Sequence, residues 1–277
     1  PPLPCGGIGT SIRNLASALV AHGHRVTIVG YGRNWRCEDV DGIAVRFWEY
    51  PRVRWIGLVL SRLLMRRELC RMVRHEGLDI VEAHDWLGPS AGLRVPCPVV
   101  IRCNGSATYF AHILGEKVRW SVRVLEAMAL RGADSIASVS RFTADVTKRL
   151  FGLKDDVRVI PNGIDLARFR PVGLDESEPN LILYFGTVVR KKGVLDLCRA
   201  FSIVTTRHPE ARLLVVGRDS ADRLTGNPST WALCEEALST DARKRTTYVG
   251  PKPYDCIQEY VRKAAVCAFP SHAEALP

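Results

Sequence analysis

The segment Gly186-Thr187-Val188-Val189-Arg190-Lys191-Lys192-Gly193 follows an apolar run at 181–185 and precedes a helical pattern. Cations at the C-terminal end of a strand, just ahead of a helix, stand where open α/β sheets take ligands. Charge-assisted contacts from Arg190 and Lys192 beside Gly186 suit a diphosphate. A solvated basic loop is the plainer alternative. Further upstream, Cys5-Gly6-Gly7-Ile8-Gly9-Thr10 leads into a helical stretch with apolar Ile12, Leu15, Ala16, Leu19 and Val20. Glycines such as Gly6 and Gly7 let a backbone approach a ligand, and the free N–H groups of a helix start attract an anion. The spacing is GGxG and not GxGxxG, so a tight turn explains it equally well.

Carboxylates and a histidine make up the remaining candidates. In Phe269-Pro270-Ser271-His272-Ala273-Glu274 an apolar strand runs into Pro-Ser, with an acid three residues after Ser271. That spacing fits a capping box; the chemical alternative is a Glu274 carboxylate gripping sugar hydroxyls at a sheet edge. The segment Glu82-Ala83-His84-Asp85-Trp86 closes another strand. His84, Asp85 and Trp86 form a plausible sugar-contact set, and a hydrogen-bonded loop histidine accounts for them as well. The chain has no GxxxxGK[ST], HExxH or GxSxG. It also lacks aromatics interleaved with basic residues, so no nucleic-acid partner is expected.

These segments need a scaffold of alternating strands and helices. Short β-branched runs predict strands at 25–30, 44–48, 79–83, 99–103, 135–139, 157–160, 180–186, 211–217, 246–250 and 266–269. Helical patterns fall at 10–22, 59–75, 118–131, 141–150, 194–207 and 255–264. Such alternation means parallel βαβ units covered on both faces. Ten strands would make an unusually wide single sheet, so two doubly wound sheets are expected. Turn-forming Pro161, Asn162, Gly163, Pro171, Gly173 and Pro179 mark a boundary. It divides residues 1–170 from residues 171–277.

Bulk composition agrees. A chain of 277 residues with 47% apolar side chains can bury two cores of ordinary size. The net charge of +10 fits phosphorylated substrates, an anionic membrane face, or simple solubility. The nine cysteines show no CxxC pair, which predicts neither a disulfide framework nor a zinc site, and suits a reducing cytosol. No apolar run is long enough to span a bilayer. The stretch 52–74 carries Arg52, Arg54, Arg62, Arg66, Arg67, Arg71 and Arg74 beside Leu60, Leu63, Leu64 and Val73. It suits either a sheet-covering helix or peripheral contact with an anionic membrane.

Taken in order, these segments resemble glycosyltransferase family 4, the large retaining "group 1" family of the GT-B fold. The matching pieces are Gly6-Gly7-Ile8-Gly9-Thr10, Gly23-His24-Arg25-Val26, His84-Asp85-Trp86, Ala133-Asp134 with Val139-Ser140, Val159-Ile160-Pro161-Asn162-Gly163-Ile164-Asp165, Lys192-Gly193, and Pro270-Ser271 with Glu274. The resemblance implies two facing Rossmann-like domains with the reaction in the cleft. Residues 1–170 would form the acceptor side, and residues 171–277 the domain for a UDP- or GDP-linked sugar. It implies sugar transfer to a glycan or glycolipid acceptor in the cytoplasm, at or near the inner face of the membrane, with no cofactor and no metal.

Residue by residue, Lys192 matches the family lysine at the diphosphate, helped by Arg190, and Gly7 would offer a backbone N–H. Glu274 matches the first acid of the family's E-x7-E motif, at the donor sugar. Catalytic contacts are expected from Glu274, Asn104 and His84, and acceptor contacts from Asp85 and Trp86. Gly186, Pro251 and Ser271 would complete the donor side. The chain departs from the pattern in places. Thr187 stands where the family usually has an arginine, and Asn104 where it usually has a histidine. The second acid would fall eight positions after Glu274, beyond Pro277, and the family's first strand would precede Gly6. A GT-B chain truncated at both ends is therefore expected. A non-catalytic sugar-nucleotide-binding homologue and a GT-B epimerase are the alternatives; the missing GxGxxG argues against a dinucleotide oxidoreductase.

Overall fold

The computed structural model describes residues 7–32, 34–49, 57–170 and 177–276. The chain divides into two compact units that part between Ile164 and Asp165.

The first unit runs α1 (Gly7–Ala21), β1 (Thr27–Gly32), β2 (Arg36–Val40), β3 (Ile43–Glu49), α2 (Gly57–Glu76), β4 (Val81–His84), β5 (Val99–Cys103), α3 (Ala107–Leu114), α4 (Trp120–Arg131), β6 (Ser135–Ser138), α5 (Arg141–Phe151) and β7 (Arg158–Val159). Strands β4-β5-β6-β7 form a parallel sheet in that order. Along β5, Val99, Ile101 and Cys103 are buried while Val100 and Arg102 are partly open. Ile101 and Cys103 pack with Leu130, Ile136, Ala144 and Phe151.

One sheet was expected in this half, but its described strands form two. The second has the order β1-β3-β2, with β1 parallel and β2 antiparallel to β3. The antiparallel pairing of β2 with β3 follows from a two-residue turn, Asp41-Gly42, with φ of 55° and 78°. Two positive φ values give the mirror turn whose twist matches a hairpin, and a turn that short can join only antiparallel strands. The Gly42 N–H donates to Asp39 Oδ1 at 3.1 Å.

The second unit runs β8 (Glu178–Phe185), a 3-10 turn Arg190–Lys192, α6 (Val194–Arg207), β9 (Arg212–Val216), α7 (Thr230–Ala237), α8 (Thr240–Lys244), β10 (Thr246–Gly250), a 3-10 turn Tyr254–Cys256, α9 (Ile257–Lys263) and β11 (Ala264–Cys267). Its sheet has the order β10-β9-β8-β11, all parallel. The chain builds outward from β8 through β9 and β10, then crosses back to lay β11 on the other side of β8. That reversal is a topological switch point, and it opens a crevice beyond the C-terminal ends of β8 and β11. Tyr184, Val194, Cys198, Phe201, Leu213, Val215 and Cys234 fill the core beneath.

Helices α3, α7 and α8 lie outside the sequence expectation. Each starts at a serine whose hydroxyl accepts a backbone N–H three residues on: Ser106 from Tyr109, Ser229 from Ala232 and Ser239 from Ala242. Among the described residues no helix is long and apolar enough to cross a membrane.

Candidate active site

The crevice of the second unit brings together two motifs that are far apart in sequence. Gly193 has φ of 69°, and a Cβ on it would overlap the carbonyl oxygen of Pro270. Only glycine tolerates both conditions. The His272 N–H donates to the Lys191 carbonyl at 2.9 Å, and Lys192 Nζ forms an ion pair with Glu274 Oε1. The Lys-Gly and Pro-Ser-x-x-Glu pieces are thus one structure at the ends of β8 and β11. Residues 272–276 form no helix. Around them the loops are stitched by backbone bonds. Gly186 N–H donates to Val216 O, Val188 N–H to Arg218 O, and Gly217 N–H to Gly250 O, each at 2.9 Å. A Cβ on Gly217 would overlap the Gly186 carbonyl, which fixes how closely the β8 and β9 ends approach.

Arg190 lies in the same loop, but its charge is engaged. Its Nε and Nη2 each donate to Asp222 at 2.8 Å. Asp222 also accepts from the Thr225 N–H at 3.1 Å and the Thr225 hydroxyl at 2.7 Å. The Arg190 hydrogen bonds hold the Asp222 carboxyl well below the usual carboxylate range. Arg190, expected to help Lys192, is thus a cation held by Asp222. Thr187 is half-buried and its carbonyl accepts from the Tyr184 hydroxyl at 2.9 Å. Pro251 is exposed beyond β10.

In the first unit the candidates gather at the C-terminal ends of β4 and β5. The Asn104 N–H donates to Asp85 Oδ1 at 3.0 Å, and Asn104 Oδ1 accepts from Asn162 Nδ2 at 3.1 Å. Asn162 belongs to the Pro-Asn-Gly-Ile-Asp piece, so that motif is tied to Asn104 and through it to Asp85. Asp85 is only 1% exposed, and burial pushes its carboxyl up to about 7. The expectation that Asp85 touches an acceptor is corrected on that ground; it orients the Asn104 loop from beneath. His84 is also largely enclosed, with its Nδ1 lacking a partner, and burial pushes its pKa down. Trp86 is 37% exposed, its ring 6.1 Å from that of Phe110. Gly7 opens α1, and a Cβ there would meet nothing within 4 Å, so space does not demand glycine at that position. Gly6 lies outside the described residues.

Sequence reasoning missed Glu126. Its side chain is fully buried. It accepts from the N–H of Leu87 at 3.0 Å, of Ala107 at 2.8 Å and of Thr108 at 3.1 Å, and from the Thr108 hydroxyl at 2.6 Å. One carboxylate thereby holds both the loop after β4, where Leu87 has φ of 62°, and the start of α3. The available signal was an acid sharing one face of α4 with buried Ala129 and Leu130. Among the described residues no group of three or more His, Cys, Asp or Glu is placed to hold a metal ion.

Comparison with known proteins converges on one family. The profile of Glycosyltransferase Family 4 matches residues 5–168, and that of Glycosyl transferases group 1 matches residues 167–277. Glycogen synthase of Mycobacterium tuberculosis is 26% identical over 311 residues, spanning 99% of this chain and 71% of its own length. A GDP-mannose-dependent alpha-(1-6)-phosphatidylinositol monomannoside mannosyltransferase of the same organism is 25% identical across 96% of this chain and 69% of its own. The structure of sucrose-phosphate synthase from Thermosynechococcus elongatus superposes with a TM-score of 0.75 at 19% identity, over 99% of this chain and 72% of that one. The chain belongs to Glycosyltransferase Family 4, and is a glycosyltransferase of the GT-B fold.

Proposed function

We propose that the chain transfers a sugar, with retention of anomeric configuration, from a UDP- or GDP-linked donor to a saccharide or lipid-linked acceptor. The observation that carries this reading is the meeting of Lys192, Gly193, Pro270 and Glu274 at the switch point of the second sheet. An incoming diphosphate competes with Glu274 for Lys192, and the carboxylate faces hydroxyls of the donor sugar. Lys192 and Arg190 meet the charge that develops on the leaving diphosphate. The loop at Pro251 serves the base. Residues 1–170 serve the acceptor, through Trp86, His84 and Asn104 on a loop that Asp85 holds. The mannosyltransferase relative supports a GDP-linked donor and a lipid acceptor.

Helix α2 supports a peripheral station on an anionic membrane in the cytoplasm. It carries Arg62, Arg66, Arg67, Arg71 and Arg74, and leaves Val59 60% and Leu63 55% exposed. Flotation with phosphatidylglycerol liposomes at low salt tests it; no binding removes it.

The decisive experiment is transfer from labelled UDP-, GDP- and ADP-sugars to saccharide and lipid-linked acceptors. Lys192→Ala should weaken donor binding at least about tenfold, and Lys191→Ala far less. Equal effects would show the phosphate site misplaced. A second reading, a non-catalytic sugar-nucleotide-binding homologue, is favoured by Thr187 and Asn104; tight donor binding without turnover would establish it.

A further inference from the structure

Two acid–base pairs border the crevice of the second unit, and they are built differently. The Lys192–Glu274 pair joins two partly open side chains, 30% and 21% exposed. The Arg190–Asp222 pair has one partner sealed: the Asp222 side chain is 2% exposed, against 33% for Arg190. Asp222 receives four donor groups, two from Arg190 and two from Thr225. The loop that carries it is closed by Asp222 N–H to Asn227 O at 2.8 Å, Gly226 N–H to Asp222 O at 2.9 Å and Thr230 N–H to Ser220 O at 2.9 Å. Asp222 therefore cannot follow Arg190 out of the pair. The guanidinium is gripped along its Nε–Nη2 edge, and no acceptor among the described residues meets Nη1. Thr187 meanwhile supplies no cation where the β8 loop begins.

We propose that Asp222 is a positioning residue for the donor diphosphate, holding Arg190 side-on so that its Nη1 edge is the fixed phosphate donor of a loop that lacks an arginine at 187. The inference rests on the donor site proposed above. A planar fork held by one edge presents its remaining N–H groups in a set direction, which a lysine cannot reproduce.

The test is calorimetric binding of UDP, GDP and ADP, and of uridine, guanosine and adenosine, to the wild type, Asp222→Asn, Arg190→Gln, Arg190→Lys and the Asp222→Asn/Arg190→Gln double variant. For the diphosphate bound most tightly, each single variant should weaken binding about tenfold, and the double no more than the weaker single, because both act through one guanidinium. Binding of the matching nucleoside should stay unchanged, which a merely structural role of Asp222 would not allow. Diphosphate binding by Arg190→Gln or Arg190→Lys equal to the wild type overturns the proposal. So does an equal loss of nucleoside binding in Asp222→Asn. Should Asp222→Asn fail to fold, the two Arg190 variants still decide. If Lys192→Ala weakens binding and the Arg190 variants do not, only the role of Asp222 falls. If Lys192→Ala also binds normally, the donor site itself is wrong.

Discussion

The two units put carboxylates to opposite uses. In the first, Asp85 and Glu126 are sealed from water and accept from backbone N–H groups. In the second, Glu274 is paired with Lys192 at the open edge of a sheet, both side chains partly open. A buried carboxylate fed by neutral donors fixes loop shape and has nothing to exchange with a ligand. A carboxylate paired with a cation at a crevice can hand that cation to an incoming phosphate. The contrast separates residues that shape a site from residues that answer a substrate, and it can be broken experimentally.

The largest effect should come from Glu126. Glu126→Ala strips four hydrogen bonds from buried donors and should cost roughly 5 kcal/mol in urea denaturation. Glu126→Gln, which keeps the shape and one good acceptor oxygen, should cost about half as much. If both variants were as stable as the wild type, the buried carboxylate would not be what holds the β4 and α3 loops.

Asp85 sharpens the same side through pH. Its folded carboxyl is raised to about 7, so the folded chain keeps its proton where the unfolded chain has lost it. Stability from this group is fully present below the ordinary aspartate value, falls as pH rises toward 7, and is gone above it. Across that window the loss should be on the order of 4 kcal/mol. Asp85→Asn should erase the slope, so the variant gains on the wild type as pH rises. Parallel curves for the two proteins would mean Asp85 does not titrate in that window.

Legibility divides along similar lines. Strands Val99–Cys103 and Thr246–Gly250 and helix Val194–Arg207 match the sequence reading end for end, because apolar periodicity is a local property that burial then uses. The β2–β3 hairpin was missed although Asp41-Gly42 announces it; polar Arg36, Glu38 and Asp39 mask the strand pattern beside it. The short helices α3, α7 and α8, of 8, 8 and 5 residues, escaped because so few turns cannot display a helical period. In the candidate site, Lys192, Gly193, Pro270 and Glu274 were legible as a motif. Their contact, and the grip of Asp222 on Arg190 across 32 positions, were not, since spacing along the chain carries no record of which loops the sheet order brings together.

Gly193 tests whether the second unit's pairs depend on backbone shape as well as charge. Gly193→Ala forces an L side chain to φ of 69° and into the Pro270 carbonyl. It should destabilise the chain by about 3 kcal/mol, read as a lower urea midpoint. It should also weaken nucleotide binding more than Lys191→Ala, because Lys192 and Glu274 lose their common frame. Unchanged nucleotide binding would mean that the frame and the pair are independent.

The smallest effect provides the control for the whole contrast. The first unit has its own bidentate pair, Arg46 with Glu76, at 2.9 and 2.7 Å between β3 and α2. Its geometry resembles that of Arg190 with Asp222, but the Glu76 side chain is 33% exposed where that of Asp222 is 2%. The Arg46 hydrogen bonds lower the Glu76 pKa, yet water and salt screen so open a pair. Glu76→Gln should therefore cost under about 1 kcal/mol, and that cost should shrink further in about 1 M NaCl, where the Debye length falls to roughly 3 Å. Asp222→Asn should cost about 2 kcal/mol and barely respond to salt, because its partner is lost from a sealed site. Equal and equally salt-sensitive losses in the two variants would show that burial does not distinguish the pairs, and Asp222 would then be no more anchored than a surface glutamate.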